Sequence, residues 1–138
     1  IYNTLLSHLN EPIFVLTCDN IIKINFSKIS EDYYSKNSPA CMVVPVKPVD
    51  GLDGDYIFHI NNTVNELTRD KKTDIYCSGI QILNPYKVNQ ITKKHDNFYG
   101  VWGELILLEQ LYVSDVRPKK WFTVDTVEQY NILTSKKI

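Results

Sequence analysis

The sequence lacks net charge of either sign. Its 15 Lys and Arg against 16 Asp and Glu in 138 residues leave −1 at pH 7, with a pI near 6.3. A global positive field, of the kind that draws in nucleic acid or an anionic membrane, is therefore excluded as a binding principle, and any anion must be met by local groups. Long hydrophobic runs are missing too: no stretch approaches the ~18 apolar residues of a membrane span. Cysteine is sparse. Cys18, Cys41 and Cys77 are odd in number and form no C-x-x-C pair, which argues against a disulfide framework or a zinc site and for reduced thiols in a cytoplasmic protein. No G-x-S-x-G elbow is present, and His8, His59 and His95 are dispersed without an H-x-x-x-H pattern. Only five glycines occur, and no segment is low in complexity.

What is present is ordinary for a folded α/β or α+β chain. Hydrophobic residues make up 43% and charged residues 22%, enough apolar content for a core and too much for disorder. The length fits one folding unit, so residues 1–138 are read as a single domain without internal boundary. The chain opens inside what reads as a helix, Leu5, Leu6 and Leu9 having helical spacing. The expectation is a helix over residues 1–10 and a further portion of protein upstream of Ile1.

Along the chain, the run Ile13-Phe14-Val15-Leu16-Thr17-Cys18 lacks polar alternation and predicts a strand buried on both faces, as in a mainly parallel sheet flanked by helices. Residues 20–26 read as loop, 27–36 as helix, and 40–46 as a second strand. Pro48, Gly51 and Gly54 with three aspartates mark a surface loop. Tyr56–Ile60 and Thr63–Leu67, joined by Asn61-Asn62, predict a hairpin. A strand over Ile75–Leu83, a short helix opened by Pro85, a helix over Gly100–Leu111, two short strands and a last helix from Thr126 complete the reading.

Four places could carry chemistry, each with a plainer reading beside it. Asp19 ends the first apolar run, and open α/β sheets bind ligands outside the carboxyl ends of their strands; aspartate is equally favoured where a strand turns into a loop. Asp125, in Val124-Asp125-Thr126-Val127-Glu128, looks like a helix N-cap with an acid three residues on. A capping carboxylate still has lone pairs for a hard cation such as Mg²⁺, so the two roles can coexist. Gly79 inside a strand marks a bulge or the close approach of another group. The Arg69-Asp70-Lys71-Lys72 turn is either solvated or meets a phosphate. Trp102 and Trp121 read as core aromatics.

In their order along the chain these segments resemble the sugar-phosphate nucleotidyltransferases. Leu16-Thr17-Cys18-Asp19-Asn20 is similar to that family's strand ending in a metal-binding Gly-Asp, with Cys18 in the glycine place. Ala40-Cys41-Met42-Val43-Val44 resembles its buried strand, and Val64-Asn65-Glu66-Leu67-Thr68-Arg69-Asp70-Lys71 its sugar-phosphate element ending in Glu-Lys. Ser78-Gly79-Ile80-Gln81 resembles its s-G-i-y motif, whose glycine lies against the sugar. Trp121-Phe122-Thr123-Val124-Asp125-Thr126-Val127-Glu128 resembles its W-x-D-I-G-T or V-D-T-P-E ending. Three departures stand out. Thr123 occupies the acid position of the W-x-D form, so the metal aspartate falls on Asp125. Arg69-Asp70-Lys71 replaces a clean Glu-Lys pair, and the family's N-terminal G-x-G-x-R loop is nowhere in these 138 residues.

The resemblance implies a partial Rossmann-like (GT-A-like) fold, the C-terminal part of a nucleotidyltransferase domain. It implies Mg²⁺-dependent transfer of a nucleotidyl group from an NTP to a sugar 1-phosphate or similar small phosphorylated acceptor, releasing pyrophosphate and forming an NDP-sugar. Asp19 and Asp125 would hold the metal and carry catalysis, and Asn20, Gly79, Glu66 and Lys71 would contact substrate. The expected partners are these small molecules, with no nucleic acid and no membrane; a homo-oligomer is compatible with the sequence. A non-catalytic regulatory or assembly module, favoured by Thr123 and the missing loop, is the alternative reading. An NDP-sugar-dependent glycosyltransferase ranks third, because Thr17-Cys18-Asp19 lacks the first acid of a D-x-D pair.

Overall fold

Six consecutive residues of the computed structural model, Cys41–Val46, are buried without exception. That model describes residues 2 and 4–136 of the chain. The six residues form β3, at the centre of a six-stranded sheet. The elements in chain order are β1 (Ile13–Leu16), β2 (Asn20–Lys23), α1 (Phe26–Ser35), β3, β4 (Tyr56–Ile60), β5 (Thr63–Thr68), β6 (Tyr76–Leu83), α2 (Pro85–Ile91), α3 (Phe98–Leu107), β7 (Leu111–Val113), β8 (Lys120–Thr123) and α4 (Val127–Ser135). The large sheet has the order β1-β6-β3-β7-β5-β4, and β2 and β8 form a separate two-stranded ribbon.

Period-2 alternation along β3 and β6 sends side chains into two cores. Cys41, Val43 and Leu83 face a core shared with Val88 of α2 and Val101 and Leu105 of α3. Met42, Val44, Ile80 and Ile82 face the other, closed by Ile29 and Tyr33 of α1. The architecture is thus helix, sheet, helix. It explains the unbroken apolar run in β1: Ile13 and Val15 join the first core and Phe14 the second, although β1 lies at the sheet edge rather than in its interior.

The mixed α/β reading holds, with a different balance of pairing from the mainly parallel one expected. Only β3–β7 is parallel; the other pairs are antiparallel. The reason is interleaving: β6 runs between β1 and β3 and opposite to both, so β1, β3 and β7 share a direction without pairing as parallel neighbours throughout. Unbroken apolar strands follow from helices on both faces, whichever way the neighbours run.

Three boundaries also differ. The helix expected over 1–10 is a 3₁₀ turn, Leu5–His8; Ile1 and Asn3 lie outside the described residues. Residues 20–23, read as loop, pair with β8. The helix expected over Gly100–Leu111 starts at Phe98, where the Asn97 side chain caps the Gly100 N–H, and ends at Leu107. Glu109 then takes φ 56°, and Leu111 enters β7.

Candidate active site

The β2–β8 ribbon brings two carboxylates together. Asp19 lies in the turn between β1 and β2, and Asp125 follows β8. Asn20 pairs with Thr123 in register, and the Val124 N–H donates to the Asp19 carbonyl at 3.1 Å. Two side chains tie the ribbon to the main sheet: the Asn20 amide and the Trp121 indole N–H both donate to the Ser78 carbonyl, at 2.7 and 2.8 Å.

Asp125 is not the cap expected of it. Thr126 caps α4, and the box closes with Gln129 rather than Glu128. The Asp125 N–H donates to Gln129 Oε1 at 2.6 Å, which leaves its carboxylate outside the cap. At Asp19, Thr123 Oγ1 donates to Oδ2 at 3.2 Å, whereas Oδ1 is shielded from solvent without a hydrogen-bond partner. The nearby Thr17 hydroxyl dipole, above all, holds the Asp19 carboxyl below its ordinary value, with Asp125, its own backbone and Thr123 acting the same way. The Asp19 carboxylate in turn pushes Asp125 up. Two carboxylates this close resist ionising together. A buried orphan oxygen beside a second acid suits a hard divalent cation, which takes one or two carboxylates and completes its shell with phosphates and water. Asp19 and Asp125 could therefore hold Mg²⁺, although among the described residues no group of three or more His, Cys, Asp or Glu is placed to hold a metal ion.

The pair opens on a cleft of about 400 Å³, also lined by Asn20, Gly79, Arg69, Tyr99 and both tryptophans. Trp102 and Trp121, expected in the core, are half-buried walls of this cleft. Their indole N–H groups are satisfied by Gln81 Oε1, at 3.1 Å, and by the Ser78 carbonyl.

The remaining predicted residues divide. Asn20 and Gly79 reach the cleft, but the space over Gly79 is taken. A Cβ there would stand 2.5 Å from Thr17 Oγ1, and φ is +80°, so the glycine accommodates the chain's own Thr17 and Asn20. It also sits in a bulge: Val43 faces Gln81 whereas Pro45 faces Cys77. Glu66 and Lys71 do not line the cleft. They pair with each other at 3.2 Å on the exposed surface. The cation that does reach the cleft is Arg69. Its Nε donates to Asp55 Oδ1 at 3.1 Å and its Nη2 to Tyr99 Oη at 3.3 Å, and Tyr99 Oη donates to Asp55 Oδ2 at 3.0 Å. Arg69 was visible as part of the basic turn, and Asp55 as a loop aspartate at the edge of the segment that resembles the sugar-phosphate element; Tyr99 carried no signal, because only the fold places α3 against the start of β4.

No protein-family model matches the sequence, and no curated protein matches it in a sequence search. Solved structures do match. An inositol-1-phosphate CTP transferase from T. maritima superposes with TM-score 0.68 at 14% identity, over 91% of this chain and 56% of that one. This is the nucleotidyltransferase fold. A Bacillus anthracis protein assigned as a glucose-1-phosphate thymidylyltransferase, in complex with a sucrose, gives TM-score 0.69 at 15% identity, over 94% and 56%. An apo UDP-glucose pyrophosphorylase gives 0.60 at 13%, again over 94% and 56%. The chain thus spans 56% of the length of each of these three enzymes. No helix among its described residues is long and apolar enough to cross a membrane.

Proposed function

We propose that the protein takes part in nucleotidyl transfer from a nucleoside triphosphate to a small phosphorylated acceptor, a sugar 1-phosphate being the reference case. The observation that carries this reading is the Asp19–Asp125 pair. It stands at the mouth of a cleft, on a fold shared with nucleotidyltransferases, with one buried carboxylate oxygen lacking a partner. In the transfer, an oxygen of the acceptor phosphate attacks the α-phosphorus of the triphosphate. The α–β bridging bond breaks, and pyrophosphate leaves with the electron pair.

Such a reaction asks the protein chiefly for alignment and neutralisation of developing charge. Bound Mg²⁺, held by Asp19 and Asp125, would supply that neutralisation. Thr123 fixes one oxygen of Asp19 and leaves the other free to hold the cation. Asn20 and Trp121 hold the ribbon in place, so the two acids keep their separation. Arg69, oriented by Asp55 and Tyr99, offers its remaining N–H groups to an acceptor phosphate, a role the sequence had suggested for Lys71. Cys41 and Cys77, whose thiols burial pushes up, suit the reducing cytoplasm in which nucleoside triphosphates are made.

The test is pyrophosphate release by the full-length protein with Mg²⁺, a panel of NTPs and phosphorylated acceptors. Asp19→Asn and Asp125→Asn should each lower turnover on the order of a hundredfold or more with the melting temperature nearly unchanged. Near-normal turnover of either variant would sink the assignment. The departure of Glu66 and Lys71 from the cleft favours the second reading, a non-catalytic module of the same fold; no pyrophosphate release under any combination would select it.

A further inference from the structure

Gln81 is out of keeping with the first core. It is 5% exposed and pairs in β6 with Val15 of β1 on one side and Val43 of β3 on the other, both of which belong to that core. Cross-strand partners share a face, so a carboxamide points into apolar surroundings, where it costs free energy unless it is bonded. An aliphatic side chain would suit the packing better. The amide oxygen of Gln81 is bonded twice: it accepts the Trp102 indole N–H at 3.1 Å and the Cys41 thiol at 3.2 Å. An indole N–H can only donate, which gives the carboxamide one orientation. Of the two partners, Trp102 lines the cleft and Cys41 does not. Phe98 lies nearly parallel to the indole, with centroids 5.7 Å and planes 25° apart, and Tyr99 meets it edge on at 5.6 Å. Both stand one turn earlier on α3 and line the cleft too. Ring contacts alone leave an aromatic side chain a broad choice of χ2. A directed bond at the indole nitrogen narrows it.

We propose that Gln81 is a positioning residue for the cleft, a role that rests on the nucleotidyl-transfer reading above. It fixes the rotation of Trp102, and Trp102 presents the flat wall against which the carbon skeleton of the phosphorylated substrate packs. Gln81 itself does not line the cleft and acts only through the indole. The carbon skeleton takes no part in bond making, so the wall holds substrate and transition state equally. Its loss therefore raises KM and leaves kcat nearly unchanged.

A double-mutant cycle tests this on the full-length protein with Mg²⁺, using the triphosphate and the phosphorylated substrate that the panel above turns over fastest. Gln81→Met keeps the length of the side chain and removes its amide oxygen. It should raise KM for the phosphorylated substrate about tenfold, with kcat within about twofold of wild type. In a Trp102→Phe background the same change should move KM by less than about twofold, because the group it acts through is gone. Additive effects on KM, or a fall in kcat with KM unchanged, overturn the proposal. Should Gln81→Met alone not fold, the double variant, which leaves no indole unpaired, decides by its KM against that of Trp102→Phe. A second readout needs no substrate. The Trp102 indole N–H signal in a ¹H–¹⁵N spectrum, identified by its loss in Trp102→Phe, should exchange with solvent at least about tenfold faster in Gln81→Met; an unchanged signal overturns the proposal as well. The two claims stay separable. Turnover with additive KM effects leaves nucleotidyl transfer standing and removes this inference, whereas a freed indole without pyrophosphate release from any pair upholds the hold of Gln81 on Trp102 and removes nucleotidyl transfer.

Discussion

A methyl group on residue 79 would lie 2.5 Å from Thr17 Oγ1 and 2.8 Å from Asn20 Nδ2, on a backbone with φ of +80°. Both terms act against any L side chain, and neither neighbour can retreat cheaply, since Asn20 Nδ2 is bound to Thr17 Oγ1 at 2.8 Å and to the Ser78 carbonyl. Gly79→Ala should therefore cost about 1–3 kcal/mol of stability, read as a lower melting temperature. It should also loosen the turn that holds Asp19. A variant that melts with wild type would show that the bulge relaxes freely. Residue-scale legibility was uneven in the same way. Gly79 was recognisable as special, but whether its open side faced the chain or a ligand depended on what β1 placed opposite. Asp19 and Asp125 could each be read as bland turn or cap residues, and only the β2–β8 pairing makes them neighbours. Lys71 looked the better phosphate contact because of its place in a motif. The two-residue step along the chain that separates it from Arg69 carries it out to Glu66 instead.

At the scale of elements, the helices were legible from their apolar spacing and from Pro85, whereas the chemical marks of their starts went unread. Asn25, Asn84 and Asn97 each cap a helix by accepting a backbone N–H three residues on, as the preference for short polar side chains at that position predicts. Of the two ribbon strands β8 was expected and β2 was not, because four residues of mixed polarity, Asn20–Lys23, carry no periodicity of their own. How elements lock together is equally hidden. Lys36, at the end of α1, is 9% exposed and pairs with Asp32 and, at 2.9 Å, with Asp115 beyond β7; Asn62 in the β4–β5 turn donates to Asp115 at 2.9 Å. The Lys36 ammonium first, then Asn62, holds the Asp115 carboxyl below its ordinary value. A depressed folded pKa contributes stability that is complete above the unfolded value and is lost as pH falls through the folded one. Asp115→Asn should thus lower the stability at neutral pH by well under about 1 kcal/mol given its exposure, read as a slightly lower melting temperature. The gap from wild type should close below the ordinary carboxylate range. A gap that persists undiminished in acid would assign the effect to packing rather than charge.

For the whole molecule, packing and chemistry are unevenly shared. β3 and β6 carry the two cores, whereas α4 has no buried residue among those described, with Val127 and Tyr130 at 76% and 55% exposure. The ribbon that bears both acids pairs mainly within itself. It is held to the body by Ile22 against the α1 core and by the two donors on the Ser78 carbonyl. The candidate site therefore stands on the less consolidated part of the fold, where local opening costs the least free energy. This gives the metal assignment a readout independent of turnover. A ligand that binds only the closed ribbon stabilises it in proportion to the logarithm of its concentration over Kd. Hydrogen exchange should show β3 and β6 amides protected at the global level, with 19–23 and 120–125 exchanging faster. Millimolar Mg²⁺ should slow those two ribbon segments while leaving α4 unchanged, and the slowing should vanish in Asp125→Asn. Uniform protection across ribbon and sheet, or a Mg²⁺ effect that survives in Asp125→Asn, would place the cation elsewhere.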